Sequence, residues 1–173
     1  MTATRVTLAV VLHDQRAGVH MTTAERPQDR KVADDIQAHG WHCLHILPGP
    51  DGEAGFSYSI GFQATYDAPE VMVFGLQRSK AHALLSECAQ LLAGGHQIHT
   101  GVEDADVLDG GYKVIFRAVR EDCHDDYLGM AVRHRGGQPL QAVVMFLPDK
   151  EHRFAWQPDY DDAQADEALG IVV

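Results

Sequence analysis

The sequence is poor in the features that define secreted, membrane-spanning and metal-clustered proteins. It has only three cysteines, at positions 43, 88 and 123, and no Cys-x-x-Cys pair. A disulfide framework, a zinc knuckle and a dithiol redox motif are therefore not indicated. No apolar run approaches the roughly 20 residues that a membrane helix needs, and no signal-peptide cleavage site follows the apolar stretch Val6–Leu12. We expect reduced thiols and a cytoplasmic protein.

Basic residues are also scarce. The chain has 14 Lys and Arg against 25 Asp and Glu, which gives a formal net charge of −11. This charge repels the phosphate backbone of nucleic acids and anionic membrane surfaces, so we expect neither as a partner. A small-molecule ligand is not excluded, because one local basic patch can still bind an anion.

Several well-known catalytic motifs are absent. There is no Gly-x-Ser-x-Gly nucleophile elbow, no Gly-x-Gly-x-x-Gly loop and no Walker-type phosphate loop. These absences argue against an α/β-hydrolase, a dinucleotide-binding fold and a P-loop nucleotide hydrolase. Cys43 stands beside His42 and His45 in the sequence, but such adjacency is not expected to create a catalytic dyad.

The composition predicts one folded domain with loose ends. Hydrophobic residues make up 45% and charged residues 23% of the 173 positions, enough to bury a core. Met21 opens a polar stretch that is typical of a protein start. We therefore predict an N-terminal extension over residues 1–20, one domain over 21–160 and an acidic, partly solvated tail over 161–173. The alternative for the N-terminal segment is an added edge strand.

The hydrophobic pattern predicts an α+β fold. Apolar residues at helical spacing predict a helix after Ser79 that ends at Gly94-Gly95, and Asp29 is placed to cap a shorter helix over Arg30–Ala38. A further helix is predicted over Asp125–Arg135. Strands are predicted over Trp41–Leu47, Phe56–Phe62, Val71–Leu76, Tyr112–Val119 and Gln141–Leu147. We expect a mostly antiparallel, barrel-like sheet of five or more strands with two or three helices.

The strand Phe56–Phe62 suggests a ligand site. Large apolar residues alternate with Ser57, Ser59 and Gly61, so one face is small and polar and lets a ligand approach the backbone. The alternative is that these small residues only pack beneath a helix. We predict a pocket between the Trp41–Leu47 and Phe56–Phe62 strands.

Five residues are candidates for ligand binding: His42, Tyr58, Ser59, Glu70 and Trp156. His42 and Glu70 are also the catalytic candidates. His42 would act as an acid–base or hydrogen-bonding group, Ser59 would donate a hydrogen bond, and Glu70 would orient a partner. Trp156 could stack on a planar ligand or fold back over the edge of the core.

The histidines at positions 39, 42 and 45 raise the question of a metal site. Imidazole binds zinc, iron and copper, so His39, His42 and His45 are the metal-ligand candidates. On a strand, however, His42 and His45 point to opposite faces. Structural histidines are therefore the favoured interpretation.

Several short sequence motifs of this chain, taken in their order, resemble the family of domain of unknown function 4262 (DUF4262). The resemblance covers about residues 31–160, and its motifs are Asp35-Ile36 with His39-Gly40-Trp41-His42, the string Phe56–Phe62, the string Pro69–Leu76, Leu84-Leu85, and Pro148-Asp149 with Phe154-Ala155-Trp156.

The chain departs from the family pattern at three positions. Ser59 stands where the family commonly has threonine, Ala155 where it has proline, and Ala68 where it has histidine. The histidine missing at Ala68 weakens any mechanism that would use it. The family carries no settled activity, so the resemblance implies no reaction.

Three functional hypotheses remain open. The first is a small-molecule or cofactor-binding domain, which could act as an enzyme and could form a homodimer. Its flavin-linked form comes from a fold-level likeness of Ser57–Leu76 to split-barrel flavin reductases, against which the scarcity of basic residues counts. The second is a non-catalytic protein-interaction or regulatory module. The third is a metalloprotein that uses the histidine cluster.

Overall fold

The computed structural model describes residues 26–160 and 165–173. The predicted N-terminal extension, residues 1–20, lies outside the described residues, as do the first four residues of the predicted tail. The helices are α1 (Pro27–His39), α2 (Phe62–Tyr66), α3 (Arg78–Ala93), α4 (His124–Tyr127), α5 (Gly129–Arg135) and α6 (Ala165–Gly170). The strands are β1 (His42–Ile46), β2 (Phe56–Ile60), β3 (Glu70–Phe74), β4 (Glu103–Asp104), β5 (Val114–Ala118) and β6 (Ala142–Phe146).

The six strands form one open, mixed sheet. Their order is β1-β2-β3-β6-β5-β4. Strands β3 and β6 pair in parallel, and the other four pairings are antiparallel. Among the described residues β1 and β4 are the two outer strands and do not meet, so the sheet does not close. The α+β class fits, but the prediction of an antiparallel, barrel-like sheet was wrong, as was the count of two or three helices.

The reason for this error lies in how the two faces of the sheet are covered. All five residues of β2 and of β6 are buried. The small residues that alternate with large ones in β2 were expected either to line a ligand site or to pack beneath a helix. In the structure helices cover both faces, and the small face of β2 lies under α3.

Two hydrophobic cores result, one on each face of the sheet. On one face α3 contributes five buried residues, including Leu85 and Cys88, which pack with Val71, Val73 and Phe116 of the sheet. The core of the other face contains buried residues of α1, α5 and α6 together with Tyr58 and Met72. With 16 residues, α3 is the longest described helix, and no described helix combines the length and apolarity that would cross a bilayer.

Two segments differ from the predicted elements for local reasons. Gly61 has a φ of 113°, which ends β2 and begins α2 at Phe62, where a continuing strand was predicted. In the predicted tail, Ala168 and Ile171 are buried in the core, and Val172 bridges to Val119. The residues from Ala165 onward are therefore packed, because their apolar side chains outweigh the acidic composition.

Close packing of two turns around Gly61 gives the first testable prediction. A Cβ at Gly61 would lie 2.9 Å from the carbonyl oxygen of Gly40 and 3.2 Å from the Cα of Trp41. We expect Gly61→Ala to lower the free energy of unfolding by about 2–3 kcal/mol, because backbone strain and steric overlap add together. Urea denaturation measures this change.

Gly95→Ala is the matched control for this variant. Gly95 has a similar φ of 92°, but a Cβ there would meet nothing within 4 Å. It should cost only the left-handed backbone strain of about 1 kcal/mol. Equal losses in the two variants would show that the contact between the turns at Gly40 and Gly61 is unimportant.

Candidate functional site

A groove runs along the free edge of β1. Its volume is about 850 Å³, and its walls come from α1, from the start of α3 and from the α4–α5 segment. We call it the edge groove; its lining includes Lys31, Val32, Asp35, His42, Cys43, Leu44, His45, Ile46, Phe56, Tyr58, Arg78, His82, Asp125, Asp126, Tyr127, Met130 and Arg133. A hollow of about 430 Å³ adjoins it and shares Asp35, His42, Cys43 and His82.

The position of the groove differs from the predicted one. Strands β1 and β2 are hydrogen-bonded neighbours, in register from His42 opposite Ile60 to Ile46 opposite Phe56. Directly paired strands leave no space between them for a ligand. The groove lies instead on the outer side of β1.

His42 is held in place by α1. Gly40, with a φ of 83°, reverses the chain after α1, so that His42 lies beside Asp35 of the helix. The Nδ1 atom of His42 is 2.6 Å from Oδ2 of Asp35, and the His42 side chain is only 12% exposed. Hydrogen bonds from Lys31 and His42 lower the pKa of Asp35. The ionised Asp35 accepts a hydrogen bond from Nδ1–H of His42. The other ring nitrogen, Nε2, makes no hydrogen bond to another described residue.

Cys43, His45 and Ser57 lie together on the opposite face of β1. The Sγ of Cys43 is 3.5 Å from Nε2 of His45, and Nδ1 of His45 is 2.7 Å from Oγ of Ser57 on β2. Burial raises the pKa of Cys43 to about 12, and the nearby Arg78 opposes this rise. Burial, followed by Arg78, lowers the pKa of His45. The resting pair is thus a thiol and a neutral imidazole.

The family model described as domain of unknown function (DUF4262) matches residues 35–161. The chain belongs to the DUF4262 family. The matched region contains β1, β2, β3 and α3, and therefore most of the edge groove. Comparisons with curated proteins and with solved structures found no match.

The five predicted binding residues of this DUF4262 member are not all at the groove. His42 and Tyr58 line it. Tyr58 forms part of its floor and is 1% exposed, and burial raises the pKa of its phenol to about 12. Ser59 and Glu70 are hydrogen-bonded to each other and buried. Trp156 lies elsewhere, stacked on Phe154 and beneath the guanidinium of Arg117.

Glu70 acts as a buried anchor within the fold. Its carboxylate accepts hydrogen bonds from the Ser59 hydroxyl at 2.6 Å and from the amides of Gly61, Phe62 and Gln63 at 2.9–3.2 Å. Gly61 is the N-cap residue of α2, and Phe62 and Gln63 are its first two residues, so Glu70 caps that helix from β3. Burial raises the pKa of Glu70, and the four donors oppose that rise. A carboxylate suits this set because both of its oxygens accept.

Ser59 completes the anchor. The amide of Val71 donates to the Ser59 hydroxyl at 2.9 Å, just beyond the last paired residues of β2 and β3, Tyr58 and Met72. The serine side chain therefore satisfies a backbone donor where the ladder ends. In this structure Ser59 and Glu70 bind each other and the backbone.

The three metal-ligand candidates do not converge. His42 faces Asp35 of α1 and His45 faces Ser57, while His39 is exposed at the end of α1. Within the described ranges, the only three potential ligands gathered within 4.8 Å are His96, Asp104 and Asp106. There the two imidazole nitrogens face different carboxylates, at 2.7 and 3.5 Å, so the ring is already held between its two neighbours.

Sequence reasoning missed the partners of two histidines. Asp35 precedes His42 by seven residues, and only the turn at Gly40 brings them together. A catalytic contact between Cys43 and His45 was not expected, although the two residues lie two apart within the predicted strand Trp41–Leu47. Residues two apart on a strand point the same way, and that alternation was the available signal.

The role of Glu70 can be tested by removing its carboxylate. We expect Glu70→Ala to lower the free energy of unfolding by about 3 kcal/mol or more, because buried donors lose their acceptor. Thermal and urea unfolding measure the effect. Glu87→Ala, at an exposed site on α3, should change stability by less than about 0.5 kcal/mol. Full stability of Glu70→Ala would contradict the anchoring role.

Proposed function

We propose that this protein binds a small molecule with an anionic group and an apolar body in the edge groove. The observation that carries the proposal is the groove itself, in which His42 and Arg78 lie on the same cavity surface as a set of aromatic and aliphatic side chains. A concave site with an apolar lining and a few positioned polar groups is the usual form of a ligand site.

The apolar part of the groove supports the binding of a ligand body. Phe56, Phe74 and Tyr127 form a group of rings with centroid separations of 5.1–6.4 Å. Phe56 and Tyr127 line the groove, together with Leu44 and Met130. Ile46, at the end of β1, is 39% exposed. Covering these side chains with a ligand would remove apolar surface from water.

Arg78 supports the choice of an anionic ligand. The other basic side chains of the groove have carboxylate neighbours: Lys31 lies 2.8 Å from Asp35, and Arg133 lies 3.7 Å from Asp29. The guanidinium of Arg78, by contrast, forms no ion pair with another described residue. Arginine binds carboxylates and phosphates through its planar set of donors. A cation at this position offers an anion a local partner on a chain of net charge −11.

His42 supplies the second polar contact. Because Asp35 holds its Nδ1 side, its Nε2 side remains for a ligand. In the neutral state Nε2 accepts a hydrogen bond, and in the protonated state it donates one. This residue is the acid–base candidate of the groove, whereas Glu70 is occupied by its four donors and has a structural role in the proposal.

The flavin-linked form of this hypothesis has lost its structural basis. It rested on a likeness to split-barrel proteins, and the sheet is open. The proposal therefore concerns an anionic small molecule without naming a flavin. A visible absorption spectrum of the purified protein tests that narrower idea directly.

Binding of 8-anilinonaphthalene-1-sulfonate, a fluorescent anion with an apolar body, tests the proposal. We expect saturable binding to the wild-type protein with a fluorescence increase. Arg78→Gln and His42→Ala should each weaken binding about tenfold, because each removes one polar contact worth about 1.4 kcal/mol. Fluorescence titration at constant ionic strength measures the dissociation constants.

Lys80→Gln is the matched control for Arg78→Gln. Lys80 is an exposed residue two positions along α3, and its removal changes the net charge equally. Its dissociation constant should match that of the wild-type protein. Equal weakening by Lys80→Gln and Arg78→Gln would indicate a general charge effect, and unchanged binding in both Arg78→Gln and His42→Ala would contradict the proposed site.

A further inference from the structure

The face of β1 that carries Cys43 has a second arrangement of reactive groups, distinct from the His42–Asp35 pair. A thiol, an imidazole and a hydroxyl form a chain of two contacts: 3.5 Å from Cys43 Sγ to His45 Nε2, and 2.7 Å from His45 Nδ1 to Ser57 Oγ. This order, with a nucleophile, a base and a group that orients the base, is the arrangement that activates a side-chain nucleophile.

We propose that Cys43 is a nucleophile of the edge groove, that His45 is its general base, and that Ser57 positions His45. The inference rests on the proposed function in one respect, since the compound that Cys43 attacks would be bound in the same groove. The chemical class that suits the arrangement is an activated acyl compound, an ester or a thioester.

The proposed role of His45 requires the tautomer that carries its proton on Nδ1. In that tautomer Nδ1–H donates to the Ser57 oxygen, and Nε2 is the acceptor for the Cys43 proton. Ser57 is 3% exposed and lies opposite His45 in the β1–β2 register. The strand pairing therefore holds the base and its positioning residue side by side.

The surroundings match the needs of this chemistry. Cys43 lines both the edge groove and the adjoining hollow, so a substrate can reach the thiol. The groups that act on His45 are Arg78 and His82 of α3 and His42 of β1, which all disfavour the imidazolium and keep His45 available as a base. Arg78 also favours negative charge at the Cys43 sulfur. The remaining charged groups of the groove are Lys31, Asp35, Asp125, Asp126 and Arg133.

The proposed reaction is acyl transfer to the Cys43 sulfur, followed by hydrolysis of the resulting thioester. The Cys43 sulfur forms a bond to the carbonyl carbon of the acyl compound, while its proton passes to Nε2 of His45. The alcohol or thiol of the substrate leaves with that proton. Water, deprotonated by the same histidine, then attacks the acyl carbon, releases the acid and restores the thiol. Since the resting group is a thiol, its attack depends on proton transfer to the base in the same step.

Alkylation of the full-length protein by iodoacetamide tests the nucleophile without any bound ligand. Mass spectrometry of peptides gives a separate rate for each cysteine. Cys88 and Cys123 are internal references, because they are 2% and 8% exposed and neither thiol is hydrogen-bonded to a histidine among the described residues. We expect Cys43 to react at least about tenfold faster than either of them, in keeping with general-base assistance.

Variants of His45 and Ser57 separate base assistance from mere accessibility. His45→Gln should slow alkylation of Cys43 about 100-fold, and His99→Gln, at an exposed histidine, should leave the rate unchanged. Ser57→Ala should slow it, whereas Ser57→Thr, which keeps the hydroxyl, should retain most of the rate. Near-ultraviolet circular dichroism checks the fold of each variant, and the serine pair tests the proposal if His45→Gln does not fold.

The pH dependence of the Cys43 alkylation rate distinguishes a base from a residue that only supports the fold. A purely structural role of His45 would not change the shape of that dependence. The wild-type rate should rise with an inflection below the usual histidine pKa of about 6.5 and then level off. The rate in His45→Gln should instead keep rising in alkaline solution as the thiol ionises.

p-Nitrophenyl acetate tests the acyl step. We expect acetylation of Cys43 in the wild-type protein and no such adduct in Cys43→Ser.

The outcomes separate this inference from the proposed function. Alkylation of Cys43 no faster than that of Cys88, or a rate unaffected by His45→Gln, would overturn the nucleophile, and failure of p-nitrophenyl acetate to acetylate Cys43 would overturn the acyl class. None of these results depends on binding of the anilinonaphthalene dye through Arg78. If the wild-type protein does not bind the dye but Cys43 keeps its reactivity, the proposed function alone is rejected.

Discussion

The buried carboxylate of Glu70 is the constraint on which the rest of the site depends. It joins the end of β2 to the start of β3 through Ser59, and it holds the first turn of α2 through three backbone amides. Gly61, one of those donors, packs against the turn at Gly40. That turn leads from α1 into β1, so the carboxyl group of Glu70, at the start of β3, supports the turn that brings His42 beside Asp35.

The open edge of β1 explains why reactive side chains from both faces of a sheet share one groove. In an inner strand, neighbouring strands separate the two faces. At an outer strand the faces meet around the edge, so His42 on the α1 side and the Cys43–His45 pair on the α3 side line one cavity. A single short strand therefore carries two independent histidine arrangements, one held by a carboxylate and one by a hydroxyl.

Electrostatics give the groove a character different from that of the whole chain. The net charge is −11, whereas the charged residues of the groove are balanced, with Lys31, Arg78 and Arg133 against Asp35, Asp125 and Asp126. Arg78 acts in two ways: it favours the neutral form of His45 and the anionic form of Cys43. These effects on neighbouring groups, together with the absence of an ion-pair partner among the described residues, are why one arginine enters both proposals.

The sequence by itself determined the α+β class, the main strands, the long helix that ends at Gly94-Gly95, and the family, because periodicity and motif order are local properties. Only the tertiary structure decided that the sheet is open and mixed, since β3 and β6 are far apart in the chain and their parallel pairing leaves no local signal. The tertiary structure also decided which candidate residues are buried and which line the groove. Ser59 and Glu70 are buried in mutual contact, whereas Cys43 and His45 lie in a groove, because burial depends on which helices cover each face and which strand is outermost.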